Sequence, residues 1–330
     1  MMKNTSLISA AILAALPLAS ALAADDWAPK LYGDLRAQAQ FQSDNDYETE
    51  IYQANLGLKG IYKNNGLMVR YNTRLQYSDN FGDASAFNDI ELIDANLIVA
   101  YKNLGGFFIG EGTTGTWVDL YSKVDIHESN SMEPSSNGHL FEQAKYGHNQ
   151  LAYFTPKFKG DWGTLWFKAA IITPNDSNDA DADVLGLRAL YHSEHFNLVI
   201  NRAEVDDKML PTDDNYVRWA VASDVRWHNF TLAALAELNQ DSPKKIKDTY
   251  ATALTYSLDN IDFGISYQQR RYESEANKDD QTLTIASVKY HFDQHITLFA
   301  EGAVYKHDPD TISGNSNNDN NVNLGFIFKY

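Results

Sequence analysis

The feature that most constrains this chain is an alternation of apolar and polar residues with period two, repeated in segments of about ten residues almost from end to end. In Leu31 to Phe41, one face carries Leu31, Gly33, Leu35, Ala37, Ala39 and Phe41, and the other carries Tyr32, Asp34, Arg36, Gln38 and Gln40. The pattern recurs in Leu67 to Tyr77, where Leu67, Val69, Tyr71, Thr73, Leu75 and Tyr77 oppose Arg70, Asn72, Arg74 and Gln76. It returns in Val322 to Tyr330, with Val322, Leu324, Phe326, Phe328 and Tyr330 on one side. Successive side chains of a strand point to opposite faces, so each segment has one side for hydrocarbon and one for water.

What separates the segments decides the architecture. Short turns, such as Lys63-Asn64-Asn65-Gly66, Asn103-Leu104-Gly105-Gly106 and His228-Asn229, alternate strictly with longer polar loops. A closed, even-stranded membrane barrel requires that parity, with its tight turns on the periplasmic side, whereas a soluble sandwich does not. The strands are expected to start at 31, 51, 67, 90, 106, 149, 163, 184, 196, 216, 229, 249, 261, 281, 295 and 321. The fold class read from this is all-β: a transmembrane antiparallel β-barrel of about 16 strands. In lipid every backbone amide needs a partner within the protein, and a closed sheet has no open edge. A barrel of that size leaves an aqueous lumen. Its polar inner face (Arg36, Gln38, Asn55, Arg70, Arg74, Lys168, Arg188, Arg218, Gln268) makes the lumen wet, and a wet hole through a membrane is a channel.

The long interruption in the pattern, residues 113–147, is expected to fold inward as a third loop and narrow the pore. It offers Asp119, Asp125, Glu128 and Glu133 as acidic constriction residues, against a basic wall of Arg36, Arg70 and Arg74 with Lys145 beside it. Arg70 and Arg74 are four apart in one strand and so point the same way at two heights. Pairing with lumen carboxylates is the alternative role for them.

Residues 1–23 read as a secretory signal: Lys3, an apolar core from about Leu7 to Leu18, and Ala21-Leu22-Ala23 as a cleavage site. The mature barrel then spans 24–330. No later segment approaches the roughly 20 consecutive apolar residues of a spanning helix, which excludes a helical inner-membrane protein. Cysteine is absent, so neither a disulfide nor a thiolate metal site contributes. With 27 Lys+Arg against 44 Asp+Glu the chain carries −17, which argues against a nucleic-acid partner. No phosphate loop, zinc spacing or calcium loop appears, His148 and His195 lack partners at ligand spacing, and no cofactor is expected.

The chain resembles the Gram-negative general porin family of trimeric, sixteen-stranded diffusion channels. The resemblance rests on Leu31-Tyr32-Gly33, on Leu56-Gly57-Leu58-Lys59-Gly60, on Phe107-Phe108-Ile109-Gly110, on Asn149 through Pro156 after the loop, and on the terminal Tyr330. It implies an outer-membrane location, a homotrimer, contact with lipid and lipopolysaccharide, and passive diffusion of small hydrophilic solutes. It also implies that Phe326, Phe328 and Tyr330 form the signal read by the barrel assembly machinery, and that loop carboxylates face wall arginines across the pore. Three of the family's basic positions fall on Asn55, near Glu91 and on Tyr146, and the loop's usual turn is replaced around Met132-Glu133-Pro134. Those losses, the net charge and acidic outer loops such as Asp44 to Glu50 point to cation preference.

Two rivals belong to other classes. Trp117, Tyr121 and Trp166 could stack on sugars in an oligosaccharide-specific porin, although the same residues suit loop packing. Ser135-Ser136-Asn137-Gly138-His139 contains acyl-transfer groups, but neighbours in one loop seldom point at each other, so an enzyme is not expected. An adhesin with a plugged lumen is the remaining alternative.

Overall fold

The computed structural model describes residues 27–42, 46–77, 90–129, 139–173, 183–210, 215–276, 278–306 and 318–330. The expected signal segment and Glu133, Ser135, Ser136, Asn137 and Gly138 lie outside these residues. The strands are β1 (Lys30–Gln42), β2 (Glu48–Asn64), β3 (Leu67–Tyr77), β4 (Ile90–Tyr101), β5 (Gly105–Thr113), β6 (Tyr146–Phe154), β7 (Phe158–Gly160), β8 (Gly163–Ile172) and β9 (Val184–His192). They continue with β10 (Phe196–Val205), β11 (Tyr216–Trp227), β12 (Phe230–Gln240), β13 (Ile246–Leu258), β14 (Ile261–Tyr272), β15 (Gln281–His291), β16 (Ile296–Lys306) and β17 (Asn318–Lys329). No helix among the described residues is long and apolar enough to cross a membrane.

Every pairing is antiparallel between neighbours in the chain, and β1 pairs with β17 through Asp34↔Lys329 to Gln42↔Asn321, which closes the sheet. The 17 segments make 16 staves, because β6 and β7 are two halves of one stave and both pair with β8. Pro156, which lacks an N–H, interrupts that stave. Thr155 bridges the gap: its N–H reaches the Phe167 carbonyl at 3.0 Å, and its Oγ1 accepts from the Phe167 N–H at 3.0 Å.

Strand β6 starts at Tyr146, three residues before the expected 149, and β13 starts at Ile246 rather than 249. Local irregularity hid both starts. Asn149 holds φ +48° inside β6, and β13 shifts register between Ile246 and Asp248.

The outer face is apolar and exposed: Leu58, Leu97, Phe107, Ile109, Leu151, Leu232 and Leu254 all face away from the lumen. At the short-turn end, Trp227, Phe230, Tyr256 and Phe263 form a chain of ring contacts at 6.3, 4.6 and 6.4 Å across β11 to β14. This is one arc of the aromatic girdle that marks a membrane interface. The largest buried apolar cluster lies inside the barrel, where the third loop packs against the wall.

Candidate functional site

After β5 the chain turns into the lumen through a five-residue helix, α1 (Gly115–Asp119), capped by Thr114 Oγ1 accepting from the Trp117 N–H at 3.2 Å. A 3₁₀ turn follows at Tyr121–Lys123. Trp117, Leu120, Tyr121, Val124 and Phe141 pack on a dry patch of inner wall built from Leu190, Val199, Ala220, Ala222, Ala233, Leu235, Ala251 and Ala253. The alanines are the reason the loop fits. Inward positions that are polar elsewhere are small and apolar here, leaving room for the loop's aromatic rings.

Polar clamps extend this seat around the wall. Asp119 takes Lys168 Nζ of β8 at 2.7 Å and Arg188 of β9, and Arg188 also donates to Thr116 Oγ1 at 2.7 Å. The Tyr121 hydroxyl donates to Glu237 of β12, and Lys123 pairs with Asp224 of β11. Further along, Lys289 of β15 binds the Ile126 carbonyl and Glu128 Oε1, each at 2.7 Å. Glu301 of β16 accepts the backbone N–H groups of Glu128 and Ser129 at 2.8 and 2.9 Å. Arg36 of β1 reaches Glu128 Oε2 at 3.0 Å, and Tyr52 of β2 donates to the Glu128 carbonyl at 3.0 Å.

The returning limb is held by Gln268 on the Leu140 N–H at 2.8 Å, by Arg270 on the Leu140 carbonyl at 2.9 Å, and by Arg218 on Gln143 at 2.6 Å. The loop therefore runs along the inner wall from β8 round to β2. Among the described residues it makes no hydrogen bond or ion pair to β3.

Four of the expected charged residues, Arg36, Arg74, Asp119 and Glu128, are ion-paired. Arg36, Glu128 and Lys289 form one ion-paired cluster joining loop and wall. Arg74 is paired on the wall itself, its Nε 2.6 Å from Asp94 of β4, and Arg36 is likewise 2.6 Å from Asp34 on its own strand. Arg70, on the same face as Arg74, is exposed and makes no ion pair among the described residues.

Asp119 serves as a clamp, its side chain 13% exposed between Lys168 and Arg188. Asp125 is half-buried without a side-chain partner among the described residues, and burial pushes its carboxyl up against the pull of Lys145. Lys145 lies 5.6 Å from the centre of the Trp117 ring. Glu133 lies outside the described residues.

The aromatic candidates resolve as packing. Trp117 is 3% exposed and Tyr121 0%, stacked at 5.6 Å, and Trp166 packs against the same cluster with Lys157 Nζ 4.8 Å from its ring centre. Trp117 and Tyr121 offer no open face to a sugar, whereas Trp166 is only partly buried. His139 is packed as well, 4.8 Å from Trp117 and 5.5 Å from Phe141. His148 pairs with Glu111 at 2.9 Å on the surface, and His195 contacts the Lys329 carbonyl at 2.8 Å. No group of three ligating side chains that could hold a metal exists among the described residues.

The two loop histidines make the seat sensitive to acid. Burial, with Lys289 adding to it and Glu128 opposing, lowers His127 to about 3; burial, with Lys145 and Arg270, lowers His139 to about 4. The unfolded loop then takes up protons first, near the ordinary histidine value of about 6.5. The histidine contribution to the seat is complete above that pH and falls as pH drops toward the folded values, by about 1.4 kcal/mol per unit for each group. Glu128 follows the same order at lower pH. Burial raises it, but Lys289 and Arg36 outweigh burial and leave it lowered, so its clamp holds until pH falls below the usual glutamate range. Open-channel current noise is expected to grow between pH 6.5 and 4.5, and the double substitution His127→Gln/His139→Gln to flatten that rise; a flat wild-type profile would show the loop insensitive to these groups.

The sequence model for the family described as Gram-negative porin matches residues 9–310. The chain belongs to the Gram-negative porin family. Solved porins and related channels share its fold at low identity. The anion-selective porin of Comamonas acidovorans aligns with a TM-score of 0.72 at 13% identity, covering 92% of this chain and 99% of that one. OmpF of Salmonella typhi, in a complex with daunomycin, gives 0.70 at 13% identity over 92% and 98%. A loop-deletion variant of OmpT, an outer membrane protein of Vibrio cholerae, gives 0.69 at 17% identity over 93% and 100%. No curated protein matches the chain. Family and fold together point to an outer-membrane β-barrel channel rather than an enzyme.

The sequence missed most of the porin's wall-side partners in their roles. Asp34, Asp94, Asp224, Glu237, Lys289 and Glu301 receive or balance the loop and the arginines. A usable signal existed: Glu237 and Glu301 are inward carboxylates in strands whose other inward residues include Ala233, Leu235 and Ala303.

Proposed function

We propose that this porin is a passive diffusion channel for small hydrophilic solutes and ions with a modest cation preference, made as a mature chain of residues 24–330. The observation that carries the reading is the path of the third loop. Its described residues clamp onto β8 through β2 and leave the inner face of β3, with Arg70, Asn72 and Arg74, free of loop contacts. A solute path along that face is the natural consequence.

The cation preference follows from where charge is balanced. Arg36 and Arg74 are matched by Asp34, Glu128 and Asp94 at the narrowing, so the net charge, −17 for the whole chain and −18 once Lys3 leaves with the signal, acts mainly at the acidic outer mouth. Anion selectivity, which belongs to the Comamonas porin, is not carried over. Nothing favours the oligosaccharide reading once Trp117 and Tyr121 are buried. We infer a homotrimer and contact with lipopolysaccharide from family membership. An assembly signal at Phe326, Phe328 and Tyr330 is supported by Tyr330, whose N–H and hydroxyl bind the Gly33 and Asn55 carbonyls at 3.1 and 3.0 Å across the barrel seam.

Planar-bilayer recording tests the reading. Large steps with a potassium-selective reversal potential in a KCl gradient are expected; absence of conductance would mean a plugged barrel. Charges at an open mouth are screened over a Debye length of about 10 Å at 0.1 M salt and about 3 Å at 1 M. The cation preference is therefore expected to shrink strongly across that range, and a salt-independent preference would place its source in the constriction instead.

A further inference from the structure

On β10 the outward residues run Phe196, Leu198 and Ile200, and then the apolar pattern breaks at Arg202 and Glu204. Arg202 stands in register with Leu187 of β9 and Trp219 of β11, both exposed on the outer face. Glu204 stands in register with Leu185 and Val217. The two charges pair at 2.7 Å, with side chains 31% and 30% exposed. Arg202 lies three residues before the end of β10 from which the long 206–215 connection leaves, so it sits toward the outer leaflet.

An arginine facing lipid costs about 2–4 kcal/mol at the bilayer midplane and about 0–1 near the interface, so this position needs a polar partner. Glu204 satisfies only part of it. Both Glu204 oxygens are engaged, one by Asn215 at 3.0 Å and one by Arg202 Nη1 at 2.7 Å. Among the described residues, the Arg202 Nε and Nη2 groups have no acceptor. Directly beside them the small side chains of Ala169 and Ala189 leave an apolar furrow walled by Phe167, Leu187, Ile200 and Trp219.

We propose, resting on the lipopolysaccharide contact inferred above, that this is a binding site for a phosphorylated glycolipid of the outer leaflet. A headgroup phosphate takes the free edge of the Arg202 guanidinium, and an acyl chain lies in the Ala169/Ala189 furrow. The guanidinium fork matches phosphate geometry in two parallel N–H···O bonds. Trp219 suits the boundary level between headgroup and chain. A second copy of the chain is the less favourable occupant, because it would take the ion pair out of water without supplying an acceptor for the free N–H groups.

The folded, purified porin in detergent would be titrated with diphosphoryl lipid A and, separately, with phosphatidylcholine, and retained lipid counted by native mass spectrometry. Saturable retention of lipid A over phosphatidylcholine is expected for the wild type. Arg202→Gln is expected to weaken it roughly tenfold, the scale of one lost charge-assisted contact. Ala189→Phe, which fills the furrow and keeps the charge, is expected to do the same, whereas Lys306→Gln at another rim position leaves retention unchanged. Wild-type retention in both Arg202→Gln and Ala189→Phe would overturn the site, as would efficient disulfide cross-linking of two Ala189→Cys copies in membranes. Bilayer conductance of the same samples reports separately on the channel.

Discussion

Asp34→Asn/Asp94→Asn turns the pore from cations toward anions. Asp94 is nearly buried, holds the Arg74 Nε at 2.6 Å and accepts the Thr113 N–H at 3.3 Å, so one carboxylate both neutralises the wall and steadies the root of the third loop. Asparagine keeps the size and an acceptor for Thr113 and removes only the charge. Asp34 plays the matching part for Arg36, accepting its Nε at 2.6 Å and the Asn55 amide at 2.8 Å. The double variant leaves Arg74 uncompensated on the same face as the exposed Arg70, and leaves Arg36 with Glu128 alone. A unit charge about 5 Å from a passing ion is worth about 1 kcal/mol in a water-like dielectric, so two charges are expected to lower the potassium-to-chloride permeability ratio roughly tenfold. Reversal potentials in asymmetric KCl measure this directly. Arg74→Gln/Asp94→Asn removes both charges and is expected to return toward wild type. A double asparagine variant with unchanged selectivity would show that these pairs do not face the conducting path.

That expectation rests on contacts of which only part was legible in the sequence. The barrel was legible because a sheet with lipid on one side and water on the other must alternate, and β1, β3 and β17 do so without interruption. The pairing of Asp34 with Arg36 was within reach, since both stand on the polar face of one strand two residues apart. Arg74 with Asp94 was not. They meet through the β3–β4 register, and the connection between those strands, residues 78–89, is too long for register to be counted across it. The loop's clamps were further out of reach, for Glu128 and Glu301 are brought together only by closure of the whole ring. The aromatic residues of the loop left two readings open for a related reason. Trp117 and Tyr121 look like a ligand surface until the alanines opposite them, on strands about a hundred residues later, are known to form a socket.

The socket itself yields the second large effect, and it separates geometry from charge. Glu301 is buried on β16 and accepts two loop N–H groups, from Glu128 and Ser129. Glu301→Ala leaves both donors without their acceptor in a site where each unsatisfied group costs about 1–3 kcal/mol. Even about 2 kcal/mol raises the population of the unseated loop roughly 30-fold. The expected result is a larger mean conductance with frequent steps between two levels, while the barrel still migrates as a folded species. Losing a negative charge also shifts selectivity, so this variant alone mixes two causes. Ala222→Phe does not. Ala222 is buried beneath the loop, and a ring placed there overpacks the socket and lifts the loop with no change in charge. It is expected to reproduce the conductance change of Glu301→Ala with selectivity near wild type. If Ala222→Phe conducts as wild type does, the loop does not set the width of the pore, and the narrowing must lie elsewhere along the wall of β3.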